Sequence, residues 1–177
     1  MYKDYEDYVE MVQKEGEEPD DHYFWQECEY DAVTDYIRDR LKREFGYGFT
    51  PDKRGIGTVC DDVEFAGNYY SFRIDVTAES GRYDGVCFDY AMREINGLFC
   101  DEVPGIDWMT RWLEDNGMNP GMAKIQAKNL QKRLAAAIEE AQEKIDAILA
   151  ECTPHTLQMD TLFSNGEAWY SEVKKAS

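Results

Sequence analysis

Residues 55–76 read GIGTVCDDVEFAGNYYSFRIDV, and this stretch decides the fold. Apolar and polar side chains alternate along it, first over 59–65 and then over 70–76, and a period of two is typical of strands with one buried face. The turn residues Ala66-Gly67-Asn68 separate the two runs. The pattern therefore predicts an antiparallel hairpin with one face in the core and the other in water.

Further strands are predicted after this hairpin and again near the end of the chain. A third strand is expected over 85–90, and the Asn96-Gly97 pair is a strong hairpin signal that suggests another strand ending near Cys100. Near the end of the chain, Asn165-Gly166 lies between two strand-like runs, 156–163 and 167–173, and predicts one more hairpin.

Helical periodicity marks the remaining segments. Apolar residues recur every three or four positions over 21–45, 104–116 and 119–151, and a shorter amphipathic helix is expected near the N-terminus. Asn119-Pro120 places a capping residue before proline at the start of the longest of these segments. Its apolar residues follow a heptad spacing, which fits one helix packed across the core, a helical hairpin or a coiled-coil dimer. These seam residues are Leu134, Ile138, Ala141, Ile145, Ile148 and Cys152.

The fold class follows from these elements. We predict an α+β protein with an antiparallel sheet of about three to six strands, packed with three to five helices that include one long helix near 119–151. With 177 residues the chain is long enough for one ordinary domain. We expect an acidic arm or short helix at 1–19 and a single α+β domain at 20–177.

Negative charge is concentrated in two blocks. The chain has 37 acidic and 19 basic residues, for a net charge of −18. Residues 1–31 hold 12 acids and 2 bases, and residues 58–107 hold 11 acids and 3 bases, whereas the segments 32–57 and 108–177 are close to neutral. DNA, RNA and anionic lipid are poor partners for such a surface, so the charge predicts a basic partner.

Several classes of protein are disfavoured by the sequence. No apolar run is long enough for a membrane helix, and the start of the chain lacks the features of a signal peptide, so we expect a cytoplasmic protein without membrane association. The five cysteines form no C-x-x-C pair and are expected to be buried, reduced thiols. The two histidines, His22 and His155, lie in no recognisable catalytic setting.

Metal and cofactor motifs are also absent from the sequence. The glycine pairs near 46–48 and 55–57 lack the lysine of a P-loop and the third glycine of a dinucleotide motif. Clustered cysteine and histidine ligands for zinc are missing, and the acid clusters lack the spacing of a calcium loop. We therefore expect no cofactor, no metal and no enzymatic activity.

Acids interleaved with aromatic residues are the strongest functional signal. A groove that holds nucleic acid expects closely spaced negative charge and flat stacking groups, and carboxylates with tyrosines can imitate both. In size, charge and aromatic content the chain is similar to the small acidic proteins that phages and plasmids use against restriction and CRISPR nucleases. The predicted partner-binding residues are Asp4, Tyr5, Glu6, Asp7, Tyr8, Glu10, Glu17, Glu18, Asp20, Asp21, Tyr23, Glu27, Asp61, Asp62 and Glu64.

The sequence thus favours a nucleic-acid mimic, an inhibitor that occupies a basic nucleic-acid-binding surface of a nuclease or defence complex and does not bind nucleic acid itself. Such a protein would act in the cytoplasm, and in the host cytoplasm if it is phage-encoded. Two alternatives stay open. One is a structural or assembly protein that uses the long helix 119–151, with a homodimer as one form, and the other is a small enzyme that uses carboxylates. The lysine stripe Lys124, Lys128 and Lys132 could rest against an acidic block of the same chain or face water.

Overall fold

The computed structural model describes residues 5–19, 22–53, 55–81 and 85–151. Within these ranges the chain is an α+β fold with four α-helices and a five-stranded antiparallel sheet, as predicted. The helices are α1 (Tyr5–Lys14), α2 (His22–Phe45), α3 (Ile106–Asp115) and α4 (Pro120–Ala150). The strands are β1 (Phe49–Pro51), β2 (Gly57–Phe65), β3 (Asn68–Gly81), β4 (Gly85–Ile95) and β5 (Leu98–Phe99).

The sheet is a simple meander in the order β1-β2-β3-β4-β5. Two-residue turns connect β2 to β3 and β4 to β5, and both residues of each turn have positive φ: 51° and 78° at Ala66-Gly67, and 48° and 80° at Asn96-Gly97. Turns of this kind twist in the same sense as the strands they join. The two predicted hairpins over these residues are therefore confirmed, and the strands are longer than the pattern alone indicated.

One face of the sheet, which we call the inner face, carries the core. Ile74 at its centre lies opposite Val59 on one side and Met92 on the other, and is fully buried. Leu41 of α2 and Leu134 of α4 are also fully buried in the same cluster. Burying one such side chain stabilises the fold by about 1.5–3 kcal/mol. Alternation along the strands thus places the core on one face, and α2, α3 and α4 pack there.

Helix α3 contacts the inner face at Tyr70 of β3. The rings of Trp112 and Tyr70 lie 6.4 Å apart, and the side-chain amide of Asn116 donates a hydrogen bond of 2.9 Å to the Tyr70 hydroxyl. Gly117, with φ of 87°, follows the C-terminal end of the helix. Ile106, the first residue of the helix, is 37% exposed. Because Cα–Cβ bonds tilt toward the helix N-terminus, the side chain of this first residue projects past the helix end.

Helix α4 confirms the prediction of one long helix. The side chain of Asn119 accepts a hydrogen bond of 2.9 Å from the Gly121 amide, so it caps the helix. The five described residues of the heptad seam, which ends at Cys152 outside the described residues, are buried inside this chain. These seam side chains therefore form the core of one molecule, and the idea of a dimer through them is wrong.

Strand β1 was not predicted, because three residues are too few to show alternation. The connection from β1 to β2 is held by Arg38 of α2, whose guanidinium donates hydrogen bonds to the carbonyls of Asp52, Gly55 and Ile56 at 3.1, 2.6 and 3.4 Å. A planar group with five donors suits several carbonyls at once. Arg38 thus links the β1–β2 connection to α2.

Several predicted features lie outside the described residues. These are the hairpin at Asn165-Gly166 and the residue His155. The division into an arm at 1–19 and a domain at 20–177 stays a prediction. Within the described ranges, none of the helices combines the length and apolarity that crossing a bilayer requires.

Candidate partner-binding surface

The face of the sheet that points away from α2, α3 and α4 is the strongest candidate site, and we call it the outer face. Strand alternation brings to it the side chains that are not used in the core. Asp62, Glu64, Tyr69 and Asp89 are all exposed there. Its described side chains come from Thr58, Cys60, Asp62, Glu64, Tyr69, Ser71, Arg73, Asp75, Thr77, Asp89, Ala91, Arg93, Glu94 and Phe99.

The outer face is acidic even after its ion pairs are taken into account. Both of its arginines are paired: Arg93 lies 3.3 Å from Asp75, and Arg73 lies 3.9 Å from Glu94. Three further carboxylates have no ion pair within the described part of the chain, and each of them is exposed. These three are Asp62, Glu64 and Asp89. The described side chains of this face therefore carry a net charge of −3.

Exposed aromatic rings lie next to these carboxylates. Tyr69 is 68% exposed and is the direct cross-strand neighbour of Glu64. Phe99 is 75% exposed and is the neighbour of Glu94 at the other side of the sheet. Opposite residues in an antiparallel pair have Cβ atoms about 5 Å apart, so each ring is within contact distance of a carboxylate. Acid and aromatic groups are thus interleaved on the outer face.

Asp61, Asp62 and Glu64 were predicted to form one acidic cluster, but the sheet divides them. Asp62 and Glu64 lie on the outer face, at alternate positions of one strand and hence roughly 7 Å apart. Asp61 takes the inner-face register, opposite Phe72. It is nevertheless exposed, because β1 pairs only with 57–59 and leaves this part of β2 at the edge of the sheet.

A groove runs between this edge and α4. The groove is lined by three carboxylates, those of Asp61, Glu44 and Glu140, and by Lys144. The Lys144 ammonium lies 3.0 Å from the Glu140 carboxylate and 3.7 Å from the Glu44 carboxylate. Glu140 and Glu44 raise the pKa of Lys144, and the hydrogen bond that the ammonium donates to Glu140 is the largest cause. The groove continues the negative charge of the outer face around the β2 edge.

Side chains already occupy part of the β2 edge. The Asp61 carboxylate accepts the Asp62 amide at 2.8 Å, and Arg133 of α4 donates to the Glu64 carbonyl at 3.0 Å. Satisfying edge groups in this way opposes the addition of a strand from another chain. The outer face is therefore better suited than the edge for contact with a partner.

The predicted acids of the N-terminal region are only partly described. Glu6, Glu17 and Glu18 are exposed, and Glu10 is exposed while pairing with Lys14 at 2.6 Å. Asp4, Asp20 and Asp21 lie outside the described residues. Tyr5, Asp7, Tyr23 and Glu27 lie in α1 and α2, but their side chains are not described.

Tyr8 departs from its predicted role as a partner-binding residue. It is only 3% exposed, and Val12, one turn later on the same helix face, is buried as well. The i, i+4 spacing places both side chains on the apolar side of α1. The Tyr8 side chain is therefore packed inside the protein and is not exposed for contact with a partner.

Three residues of the outer face were missed by the sequence reasoning. Tyr69, Asp89 and Phe99 belong to it only through their register with neighbouring strands. Alternation from the well-predicted Tyr70 could have placed Tyr69 on the polar face. Phe99 could not be placed in this way, since β5 has only two residues.

Metal binding has no support in the described ranges, where no three side chains of His, Cys, Asp or Glu form a group that could hold an ion. Cys60 and Cys100 are free thiols, and both are partly exposed rather than buried as expected. The side chains of Cys28 and Cys87 are not described, and Cys152 lies outside the described residues.

Burial raises the pKa of the Cys60 thiol, with Arg73 opposing the rise and Asp75 and Glu94 adding to it. Because the thiolate is the reactive species, we expect Cys60 to be alkylated more slowly than a cysteine in an unfolded peptide at pH 8. Its rate should still increase above pH 9. Peptide-level mass spectrometry after timed exposure to iodoacetamide would measure this.

Arg73→Gln should slow the alkylation of Cys60 further, because it removes the positive charge that lowers the pKa. Arg43→Gln, on the exposed side of α2, serves as the matched control. Faster reaction of Cys60 than of the unfolded peptide would contradict this account of the thiol.

Comparison with known proteins gives no further identification. No protein-family model matches the chain, and neither the curated proteins nor the solved structures include a significant match.

Proposed function

We propose that this protein binds and blocks a positively charged nucleic-acid-binding surface of another protein, such as a nuclease or a restriction or CRISPR defence complex. The observation that carries the proposal is the outer face, a sheet layer that no described helix covers. There Tyr69 lies beside Glu64, which has no ion pair among the described residues, and Phe99 lies beside Glu94. Binding, rather than catalysis, is the proposed role.

Charge spacing supports this proposal. A nucleic-acid strand carries one phosphate per roughly 3.4 Å of helix axis, and proteins bind it with lysine and arginine side chains. Neighbouring strands lie about 4.8 Å apart, and alternate residues of one strand roughly 7 Å apart, so a sheet can hold carboxylates at comparable density. Tyr69 and Phe99 would occupy the places where such a site stacks bases. Since the sheet is already ordered, little entropy is lost when these groups bind.

The net charge of −18 adds long-range attraction. It would steer the protein toward basic surfaces and raise the association rate at low ionic strength. The same charge repels nucleic acid and anionic membranes, so neither is a proposed partner. The proposed target places the protein in the cytoplasm, and in the host cytoplasm if the chain is phage-encoded.

A panel of purified restriction and CRISPR nucleases provides the direct test. We expect at least one to form a complex with the protein, to lose DNA cleavage, and to release the protein when excess duplex DNA is added. The affinity should fall strongly as ionic strength rises from about 0.01 M to about 1 M, because the Debye length shrinks from roughly 30 Å to 3 Å. Failure of every panel member to show DNA-competed binding would overturn the proposal.

Charge reversal on the outer face is the variant test. Asp62→Lys with Glu64→Lys should weaken the complex by roughly tenfold or more, which corresponds to about 1.4 kcal/mol. Glu114→Lys with Asp115→Lys changes the net charge equally at two exposed residues at the C-terminal end of α3, away from the outer face, and should have little effect. Equal weakening by both variants would show that only overall charge matters.

A third variant tests whether the N-terminal acidic block or the outer face contributes more to the affinity for the partner. Glu17→Lys with Glu18→Lys changes two exposed residues after α1 by the same amount. Stronger weakening by this pair than by the outer-face pair would move the proposed contact to the N-terminal block.

A further inference from the structure

The side of α4 that faces away from the sheet carries an ordered pattern of charge. Its exposed residues follow one another at intervals of three or four, except for the adjacent pair Ala135 and Ala136, and they form one continuous stripe. The stripe begins with lysines, passes through alanines, and ends with acids. We call it the α4 stripe, and it contains Lys124, Lys128, Lys132, Ala135, Ala136, Glu139, Glu143 and Asp146, all of them exposed.

Local helix stability does not account for this order. Cations toward the N-terminal end of a helix and anions toward its C-terminal end run against the helix dipole, so the dipole gives no reason for this order. The three lysines also have no ion pair with any described residue, although acids outnumber bases by 37 to 19 in the chain. The idea that they rest against an acidic block of the same chain therefore has no support among the described contacts.

The α4 stripe is complementary to itself. When two copies of a helix lie antiparallel about a two-fold axis, residues at equal distances on either side of the centre meet. With the centre between Ala135 and Ala136, Lys132 faces Glu139 of the other copy. Lys128 then faces Glu143, since these two residues are also equally far from the centre.

The outer part of the stripe follows the same symmetry. Ile125, which is 66% exposed, meets the turn that holds Asp146, and Lys124 lies next to it. The carboxylate of Asp146 also accepts a hydrogen bond from Tyr90 at 2.9 Å, so its position is already fixed.

The centre of the stripe suits close contact between helices. Ala135 and Ala136 are exposed and small, and helices with small residues at the crossing approach to the short end of the usual range of 8–10 Å between axes. The flanking lysines and glutamates can then reach their partners across the interface. Charge and shape thus favour the same arrangement.

We infer that a second copy of this chain binds to the α4 stripe in an antiparallel, two-fold symmetric dimer. The inference does not depend on the proposed function. In the dimer the helices of both copies lie between the two sheets, so both outer faces point away from the interface. If the proposed function also holds, the dimer presents two separate acidic faces.

Sedimentation velocity over a range of protein concentrations tests the dimer. We expect dimers at about 0.01 M ionic strength and at least roughly tenfold weaker association at about 1 M, because exposed pairs are screened. Lys128→Glu with Lys132→Glu should dissociate the dimer, and so should Glu139→Lys with Glu143→Lys. The second variant lowers the net negative charge, so general repulsion between copies predicts the opposite result for it.

Mixing the two variants is the decisive measurement. The first variant then keeps Lys124 as the one base of its stripe and the second keeps Asp146 as the one acid of its stripe. A heterodimer should therefore form although neither variant dimerises alone. Lys42→Glu with Arg43→Glu, and Glu114→Lys with Asp115→Lys, are controls of equal charge change at exposed residues outside the stripe. Circular dichroism checks that each variant is folded.

A monomeric wild-type chain at low ionic strength, a dimer that survives both reversals, or a mixture that stays monomeric would each overturn the inference. Binding of an unrelated acidic protein to the lysines, without self-association, would also count against a second copy as the occupant. None of these measurements uses a nuclease, so their failure is distinct from failure of the proposed function.

Discussion

Ile145→Lys is expected to unfold the domain rather than to separate a folded dimer. Ile145 is fully buried in α4, in the same core cluster as Val59 and Ile74 of the sheet. The change removes a large apolar side chain and forces an ammonium group into an apolar site. Both effects together should cost about 4 kcal/mol or more, a large part of the roughly 5–15 kcal/mol that stabilises a typical domain.

Urea denaturation followed by circular dichroism measures the loss of stability. Ala150→Lys, an exposed position in the last turn of the same helix, is the matched control and should change the free energy of unfolding by less than about 0.5 kcal/mol. A variant that lost self-association while keeping wild-type stability would instead restore the interpretation of the heptad residues as a dimer seam.

Gly57→Ala is expected to destabilise the protein by on the order of 3 kcal/mol. Gly57 has φ of 152°, a conformation that residues with a side chain rarely adopt. A Cβ atom built there would lie 2.4 Å from the Thr50 carbonyl oxygen and 2.7 Å from the buried Phe49 ring. Backbone strain and overpacking each cost about 1–3 kcal/mol, and β1 must shift to relieve the contact.

The matched control is Gly105→Ala. Gly105 precedes α3 with φ of −68°, and a Cβ atom there would meet nothing within 4 Å. Thermal unfolding of both variants should show a clearly lower midpoint for Gly57→Ala and little change for Gly105→Ala. Equal midpoints for the two variants would mean that β1 adapts without cost and that its contact with β2 is not tightly packed.

Local patterns were sufficient for most of the fold. The alternation over 59–65 and 70–76, the turn at Asn96-Gly97 and the Asn119 cap all depend on residues close together in sequence, and each is found where it was predicted. Strand β1 was missed because its three residues owe their position to pairing with β2. Local signals therefore located the elements but not the short strand that depends on its neighbour.

The candidate site was less predictable than the fold. Asp62 and Glu64 were identified correctly as exposed acids, yet Asp61 lies in the edge groove and Tyr8 is buried. Periodicity shows which residues share a side of a helix or strand. It does not show whether that side is buried or exposed. The outer face also joins residues from four strands, and their proximity depends on register.

By itself the sequence determined the α+β class, the hairpin turns, the long helix and the excess of negative charge, because these depend on residue type and on neighbours within one or two turns. The tertiary structure decided which charges share a surface. It gathered Asp62, Glu64 and Asp89 on the outer face, placed the heptad residues in the core, and left the α4 stripe exposed. The physical reason is that burial is a competition among all apolar surfaces of the chain, and only packing determines which face of each element is covered.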